Sequence, residues 1–299
     1  MTKAARYRLE ARAALAAARL ASVLPLGVLR AVGRGLGRFW GDVDSRHVTV
    51  AAANLRRAFP HWEPERRYRT AREVYAHFGQ ALWEILWLHG RSPARILDRV
   101  ETVGLENMKA ALAAGRGAIC ATGHIGNWEL FALAHSLLHQ PLAVVARPLD
   151  NPELDRRLCE IRAQGGNVVI DKRFALAQVV RNLRQNRIVA ILMDQNVQAT
   201  DGIFVDFFGR PAATTTVAAA LAVRTGCALV PGHSVLGRDG RYRLVYEPAL
   251  RWSPSGNREA DIALLTQRLT TIIEGWIRDA PEQWLWLHRR WKTRPEPAP

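Results

Sequence analysis

A histidine and a carboxylate stand five residues apart, at His124 and Glu129. His124 follows an apolar run typical of a strand, and Glu129 opens a stretch typical of a helix. On a straight helix, five residues turn through about 140° beyond one full turn, so the two side chains would diverge. Gly123 and Gly126 permit a bend that lets imidazole and carboxylate meet, with His124 on the loop. The spacing then predicts a general base, whose second nitrogen stays free while the carboxylate orients the first.

A histidine near a carboxylate is more often structural than catalytic, so the neighbouring residues matter. Gly126, Asn127 and Trp128 form a loop that has little use in packing, which favours a functional site. Asn127 is also a suitable N-cap for the following helix. The spacing differs from the H-E-x-x-H pattern, and no His/Asp/Glu cluster has the spacing of metal ligands, so we expect neither a metal nor another cofactor.

The elements that position this loop alternate between short apolar runs and helical stretches. The runs that predict strands are 118–121, 142–146, 168–170, 188–193, 228–230 and 242–246. Predicted helices occupy 48–59, 64–90, 128–138, 151–164, 174–185, 214–225 and 259–279. This alternation predicts a mixed α/β domain with a largely parallel central sheet flanked by helices. Open sheets of this kind bind ligands where their strands end, as the strand before His124 does.

Charge is the unusual feature of the composition. The 299 residues are 48% hydrophobic, which is ordinary for a folded protein, but the formal net charge is +15. Such an imbalance favours an anionic partner: a nucleic acid, a phospholipid surface or an acidic protein. Basic residues mixed with Leu and Ala, without a nucleic-acid-reading motif, argue against the first of these. A nucleic-acid-binding protein nevertheless remains the alternative of a different class, and salt-sensitive binding to nonspecific DNA would reveal it.

The cysteines indicate a reducing setting. Cys120, Cys159 and Cys227 are odd in number and widely spaced, so they predict neither a disulfide framework nor a zinc site. Cys120 precedes His124 by four residues, but its place in an apolar strand predicts a buried, inert thiol rather than a nucleophile.

The first 41 residues form a basic segment with eight Lys or Arg and one acid. Every window long enough to span a membrane contains Arg19 or Arg30, which makes a spanning helix costly. We therefore predict basic amphipathic helices over 1–41, broken near Pro25 and lying on an anionic membrane surface. The alternative is a basic helix pair packed on the protein's own core. Residues 42–294 would form the α/β domain, and 295–299 a frayed tail.

Several blocks of sequence resemble a known family. The blocks are H-x4-D/E at 124–129, R-P-x-x-N-P at 147–152, D-Q-N at 194–196, F-F-G-x-P-A-x-T at 207–214, W-x-W-x-H-x-R-W at 284–291 and N-L-x-x-A-F-P at 54–60. In their order and spacing they resemble the bacterial lipid A biosynthesis acyltransferases, the lauroyl and myristoyl transferases. The resemblance covers roughly residues 45–292.

The resemblance implies transfer of a fatty acyl chain from a thioester to a hydroxyl group of a glycolipid. His124 would take the hydroxyl proton, and Glu129 would hold His124 in the productive tautomer. Backbone amides around Gly126 and Asn127 would bind the oxyanion, and Arg147 would bind a substrate phosphate or help there. Asp194 and Asn196, after another strand, would shape the acceptor site. For Arg147, Asp194 and Asn196, a structural role remains open.

The implied partners are acyl carrier protein as donor, a lipid A precursor as acceptor and an anionic membrane surface, at the cytoplasmic face of the inner membrane. Carrier proteins are acidic, and the pairs or triples Arg56/Arg57, Arg66/Arg67/Arg69 and Arg289/Arg290 are candidate docking clusters. Related acyltransferases of phosphatidylinositol mannosides share these blocks, often with Asp in place of Glu129. The alternative is therefore an acyltransferase of that type, or one acting on lysophospholipids, that uses acyl-coenzyme A.

Overall fold

The structure is a computed structural model that describes residues 2–89 and 97–295. Gly90, the predicted end of one helix, and residues 296–299 of the predicted tail lie outside the described residues. Residues 2–89 are helical, and from Val100 onwards strands and helices alternate.

Residues 2–89 form four helices: α1 (Lys3–Val23), α2 (Leu26–Val43), α3 (Ser45–Ala58) and α4 (Pro64–His89). The chain is extended at Leu24 and Pro25, where α1 ends, because proline has no N–H with which to continue a helix. Helix α2 packs closely on α4 through Gly33, Gly37 and Gly41, which are buried. The basic helices thus pack on the protein's own core along one face, as one interpretation predicts. Other apolar side chains of α2 stay exposed.

Strands and helices then alternate along the chain. The strands are β1 (Val100–Val103), β2 (Ala118–Thr122), β3 (Leu142–Ala146), β4 (Val168–Asp171), β5 (Ile188–Leu192), β6 (Ile203–Asp206), β7 (Pro211–Thr214), β8 (Ala228–Leu236) and β9 (Tyr242–Tyr246). The helices between and after them are α5 (Leu105–Ala113), α6 (Trp128–Leu138), α7 (Pro152–Ala163), α8 (Ala175–Arg184), α9 (Val217–Thr225) and α10 (Arg258–Asp279).

In the described part of the chain, the main sheet has seven strands in the order β1-β9-β8-β2-β5-β3-β4. Strands β8, β2, β5, β3 and β4 run parallel, and the β8–β9 pair is antiparallel. The predicted mixed α/β fold with a largely parallel sheet is therefore confirmed. The carboxyl ends of the five parallel strands meet at one edge, where the loop of His124 begins.

Three strands were not predicted from sequence. Strand β1 alternates half-buried and exposed residues at the sheet edge, so it lacks the apolar run of a central strand. Strands β6 and β7 form a separate hairpin whose turn places Phe208 and Gly209 at positive φ. Each of these strands is only four residues long, which leaves little periodicity to detect.

The sheet is buried on both faces, and β2 shows this most clearly. Ile119 and Ala121 join the hydrophobic cluster on one face, with α9 and α10. Ala118 and Cys120 join the cluster on the other face, with α6. Burial raises the pKa of the Cys120 thiol to about 12, which agrees with the predicted inert cysteine.

Among the described residues, no helix combines the length and the apolar character needed to cross a membrane.

Candidate active site

His124 is bound to Asp194. Its ring Nδ1 lies 2.8 Å from Oδ1 of Asp194, and its backbone N–H donates to Oδ2 over 2.7 Å. His124 follows β2, and Asp194 follows β5, the parallel neighbour of β2. Because parallel neighbours end at the same edge of the sheet, the two residues meet although they lie 70 positions apart.

The Asp194 carboxylate is buried and ionised. Its Oδ2 also accepts a 2.6 Å hydrogen bond from the indole N–H of Trp284. Burial by itself would raise the pKa of Asp194, but the His124 ring, the His124 amide and the Trp284 indole outweigh it and lower the pKa to about 2. An ionised carboxylate accepts hydrogen bonds only, so the Nδ1 atom of His124 carries the proton.

The opposite ring nitrogen of His124 is therefore an acceptor in the neutral imidazole. It faces the side-chain amide of Gln195, whose Nε2 lies 3.3 Å away. The His124 side chain is 18% exposed, and Trp128 packs edge-on against its ring at a centroid distance of 4.9 Å. A substrate hydroxyl that replaced the Gln195 amide would find a lone pair ready to accept its proton.

Glu129 does not contact His124, which corrects the predicted pair. The Glu129 carboxylate makes a two-pronged ion pair with Arg162 of α7, at 2.8 and 2.5 Å. Both side chains are largely buried, at 12% and 11% exposure. Asn127 caps α6 from the preceding position, so Glu129 begins the helix while His124 stays on the strand side of the loop. The bend that Gly126 makes, at φ +60°, brings the histidine to Asp194 instead.

The predicted oxyanion donors are already in use. The Gly126 N–H donates to the Gln283 carbonyl over 2.8 Å, and the Asn127 N–H donates to the Ser234 hydroxyl over 3.0 Å. The Gly126 carbonyl accepts a 3.0 Å bond from Nε2 of His77, a buried ring whose pKa burial lowers. Gly126 and Asn127 therefore shape the loop, and in this structure neither amide is free to bind an oxyanion.

A buried carboxylate, Glu84 of α4, joins this loop to the amino-terminal helices. Its two oxygens accept from Arg30 of α2 (2.7 Å), Gln80 (3.1 Å), Tyr242 (2.7 Å) and the Asn127 side chain (3.2 Å). Four donors offset the cost of burying the charge. The contact through Arg30 makes α2 part of the scaffold of the His124 loop.

Two further predicted residues lie outside the His124–Asp194 contact. Arg147, after β3, is 74% exposed and pairs with Asp150 at 2.6 Å. The Asn196 side chain exchanges hydrogen bonds with Thr293, and its backbone N–H donates to Nε2 of His288, so Asn196 fastens the carboxyl-terminal segment. That segment also returns to the loop, because Leu285 donates its N–H to the His124 carbonyl at 3.0 Å.

Several residues of this site were not assigned from sequence. Gln195 and Trp284 stood inside matched blocks but received no role, and Arg162, His77 and Glu84 lie in helices with no distinguishing spacing. The sequence offers one signal for them: a charged residue within an otherwise apolar helix face, as at Glu84, suggests a buried group with a function.

The fold and this site define a class: an α/β protein with a histidine–aspartate pair at the carboxyl edge of a parallel sheet. The family model described as bacterial lipid A biosynthesis acyltransferase matches residues 3–293, and the chain belongs to this family. The protein is therefore an enzyme, an O-acyltransferase.

Individual relatives cover most of the chain. It is 29% identical over 278 residues to the lipid A biosynthesis lauroyltransferase of Escherichia coli (strain K12), spanning 92% of this chain and 89% of that protein. It is 30% identical to the lipid A biosynthesis palmitoleoyltransferase of the same strain, spanning 91% of this chain and 87% of that protein. It is 33% identical to the phosphatidylinositol mannoside acyltransferase of Mycobacterium tuberculosis (strain ATCC 25618 / H37Rv), spanning 73% of this chain and 68% of that protein.

Proposed function

We propose that this enzyme transfers a fatty acyl chain from acyl-acyl carrier protein to a hydroxyl of a membrane glycolipid, with His124 as general base. The observation that carries the proposal is the contact between Nδ1 of His124 and the buried Asp194 carboxylate. Asp194 takes the positioning role that the sequence suggested for Glu129. Glu129 instead has a structural role, because its ion pair with Arg162 fixes α6 against α7.

The reaction needs one proton carrier. Nε2 of His124 removes the proton of the acceptor hydroxyl as its oxygen attacks the thioester carbonyl carbon. The tetrahedral intermediate collapses, the carbon–sulfur bond breaks, and the leaving thiolate takes the proton from the imidazolium. The products are an ester and a free thiol. Asp194 stabilises the imidazolium between these steps, as in other acyl-transfer sites with a histidine base.

Substitutions of the pair test this proposal. His124→Ala and Asp194→Asn should each lower kcat by about 10²–10⁴-fold, since the first removes the base and the second its orienting charge. His47 is a matched control, because it makes a 2.8 Å contact with Asp44 on the surface. His47→Ala should leave kcat within about twofold, as surface changes rarely affect a distant site. Near-normal turnover by folded His124→Ala protein would refute the mechanism.

The acceptor class rests on the relatives. The similar proteins are named for lipid A and for phosphatidylinositol mannosides, both glycolipids. We favour a lipid A precursor, because the family model covers nearly the whole chain. Mass spectrometry of glycolipids from cells with and without the enzyme distinguishes the two acceptors: loss of an acylated mannoside would contradict the lipid A assignment.

A cluster of arginines supports an acidic donor protein. Arg56 and Arg57 end α3, and Arg210 and Arg294 approach them closely enough that burial and these neighbours together lower the pKa of Arg57. Arg294 adjoins Thr293, which is bonded to Asn196, so the cluster lies on the segments that flank Asp194. None of these four guanidinium groups pairs with an acid within the described part of the chain, which suits docking of an acidic carrier protein.

The other predicted docking clusters change in the structure. Arg290 is buried and donates to the Ala213 carbonyl and the Thr214 hydroxyl, so it cannot meet a protein partner. The guanidinium of Arg66 stacks over Trp62 at 3.8 Å from the ring centroid. The cluster at Arg56 therefore becomes the better candidate.

Charge reversal tests the donor. Arg56→Glu with Arg210→Glu should raise the KM for acyl-acyl carrier protein at least about tenfold and flatten its salt dependence. Arg181→Glu with Arg184→Glu on α8 is the control, with the same charge change on another exposed surface. If the enzyme used acyl-coenzyme A as well as acyl-acyl carrier protein, and the Arg56/Arg210 variant left the KM for the carrier protein unchanged, the donor would be acyl-coenzyme A.

Membrane association is supported by exposed apolar side chains on α1 and α2. These are Leu9, Leu20, Val23, Val28, Leu36, Phe39, Trp40 and Val43. The adjoining helix α1 carries four exposed arginines, Arg6, Arg8, Arg12 and Arg19, and apolar side chains beside basic ones are typical of a peripheral helix at an anionic lipid surface. We propose attachment to the cytoplasmic face of the inner membrane through this apolar surface.

A further inference from the structure

A cavity of about 730 Å³ with several charged side chains in its wall lies beside the His124 loop. Its walls come from α2, α4, the turn between β8 and β9, and the segment Pro281–Gln283. It lies beyond the carboxyl end of β8, a parallel strand of the sheet, where open α/β sheets place ligands. Neither His124 nor Asp194 lines it, so it is separate from the proposed base.

Four arginines line this cavity against two glutamates. The arginines are Arg30, Arg34, Arg69 and Arg238, and the glutamates are Glu73 and Glu282. Arg34 is neutralised by Glu73 at 2.6 Å. Within residues 2–89 and 97–295, the exposed side chains of Arg69 and Arg238 make no hydrogen bond or ion pair, so their guanidinium groups remain available.

Arg30 supplies a third donor. Its Nε and Nη1 are used, by Glu84 at 2.7 Å and by the Gly240 carbonyl at 2.6 Å. Its Nη2 is buried and has no partner among the described residues. A buried N–H without an acceptor costs free energy that a bound anion would recover.

We propose that this cavity binds a phosphate group. Guanidinium groups from α2, α4 and the β8–β9 turn line the same cavity, and guanidinium N–H groups suit the oxygens of a phosphate. The phosphate could belong to a small soluble molecule or to a lipid headgroup. The inference goes beyond the acyl-transfer proposal and does not depend on it.

Occupation of the cavity would reach the His124 loop. His77 and Gln283 line the cavity, and both hydrogen-bond to Gly126: the ring of His77 to its carbonyl and the Gln283 carbonyl to its N–H. A ligand held by Arg69 and Arg238 therefore orders the elements that fix the position of this glycine.

Direct binding of pyrophosphate to the full chain tests the site without any transferase assay. Titration calorimetry at constant ionic strength, with chloride as the reference anion, should show binding that Arg69→Ala with Arg238→Ala weakens at least about tenfold. Arg181→Ala with Arg184→Ala on α8 should match the unchanged protein. Glu282→Gln should tighten binding about threefold, because it removes from the cavity wall a negative charge that repels the pyrophosphate anion.

The outcomes are decisive for the site. Equal affinity of the unchanged protein and the Arg69/Arg238 variant, or no saturable binding at millimolar pyrophosphate, would overturn the proposal. Loss of binding in a variant whose thermal unfolding matches the unchanged protein supports it. Because no acyl group is involved, failure here leaves the His124 mechanism unaffected, and failure of that mechanism leaves this site unaffected.

A vesicle experiment identifies the source of the phosphate. The protein is bound to phosphatidylcholine vesicles with and without phosphatidylglycerol, and pyrophosphate is added at constant ionic strength. Displacement from phosphatidylglycerol vesicles, absent in the Arg69/Arg238 variant, supports a lipid headgroup as the ligand. Vesicle binding that pyrophosphate does not change, together with calorimetric binding, supports a soluble phosphorylated molecule.

Discussion

Asp194 holds His124 at two points, with one carboxylate oxygen on the ring Nδ1 and the other on the backbone N–H. A single buried carboxylate thereby fixes both the tautomer of the ring and the position of the loop that carries it. Trp284 binds the same carboxylate from the carboxyl-terminal segment. The His124–Asp194 site is thus assembled from three distant parts of the chain, and its geometry depends on the docking of each.

Glu129 and Arg162 should be important for stability as a pair. Glu129→Gln leaves a largely buried guanidinium without its carboxylate and should lower the free energy of unfolding by about 3 kcal/mol. Glu129→Gln combined with Arg162→Met should recover most of that loss, since both charges are then absent. Urea unfolding of the single and double variants measures this. If the double variant lost as much free energy of unfolding as the two single variants added together, the broken ion pair would not be the cause of the loss.

Asp194 should stabilise the fold in a pH-dependent way. Its pKa is about 2 in the folded protein, below the usual 3.8 of an aspartate, so its contribution is present above about pH 4 and is lost as the pH falls towards 2. The contribution is about 2 kcal/mol. The difference in unfolding free energy between the unchanged protein and Asp194→Asn should therefore shrink on acidification from about pH 6 to 3. If this difference in unfolding free energy did not change with pH, the charge of Asp194 would not be its source.

The sequence predicts the central strands well because each is buried on both faces. Strands β2 and β5 are apolar runs bounded by helices, and this pattern is local. The edge strand β1 and the two strands of the β6–β7 hairpin are each only four residues long, and β1 also owes its pairing to a distant segment: Val100 pairs with Tyr242 of β9. Such pairing leaves no periodic signal in the segment itself.

The histidine of the site is predictable, whereas its partner is not. Local spacing favours Glu129, and only the adjacency of β2 and β5 brings Asp194 to the ring. Asp194 follows an apolar strand just as His124 does, and this shared position is the feature from which their meeting could have been inferred. The order of strands in the sheet was needed to use it, and sequence periodicity does not give that order.

Gly37 should be required for the contact between α2 and α4. A Cβ atom at Gly37 would lie 2.1 Å from the backbone oxygen of Tyr75, which cannot move without shifting α4. Gly37→Ala should therefore destabilise the protein by about 1–3 kcal/mol. Gly35→Ala on the same helix meets no atom within 4 Å and should stabilise it by about 0.5–1 kcal/mol. Thermal unfolding of the two variants should shift in opposite directions; a shift of the same sign would show that α2 does not depend on this close approach.

Phe39 and Trp40 should carry much of the membrane affinity. They are 63% and 61% exposed on α2, with no protein partner covering them in the described chain. Phe39→Ser with Trp40→Ser should weaken binding to anionic vesicles at least about tenfold, because each aromatic side chain contributes roughly 1.5–3 kcal/mol when buried in an apolar phase. Leu264→Ser on α10 removes a comparably exposed side chain, at 53%, and should change vesicle binding little.

Extraction from native membranes extends this test. High salt should release part of the enzyme, because screening weakens the attraction of the exposed α1 arginines for anionic lipid. Alkaline carbonate should release more, as expected for a peripheral helix. Retention under both treatments, with release by detergent alone, would contradict attachment through an amphipathic surface. Unchanged vesicle binding by the Phe39/Trp40 variant would instead move the contact to another part of the protein.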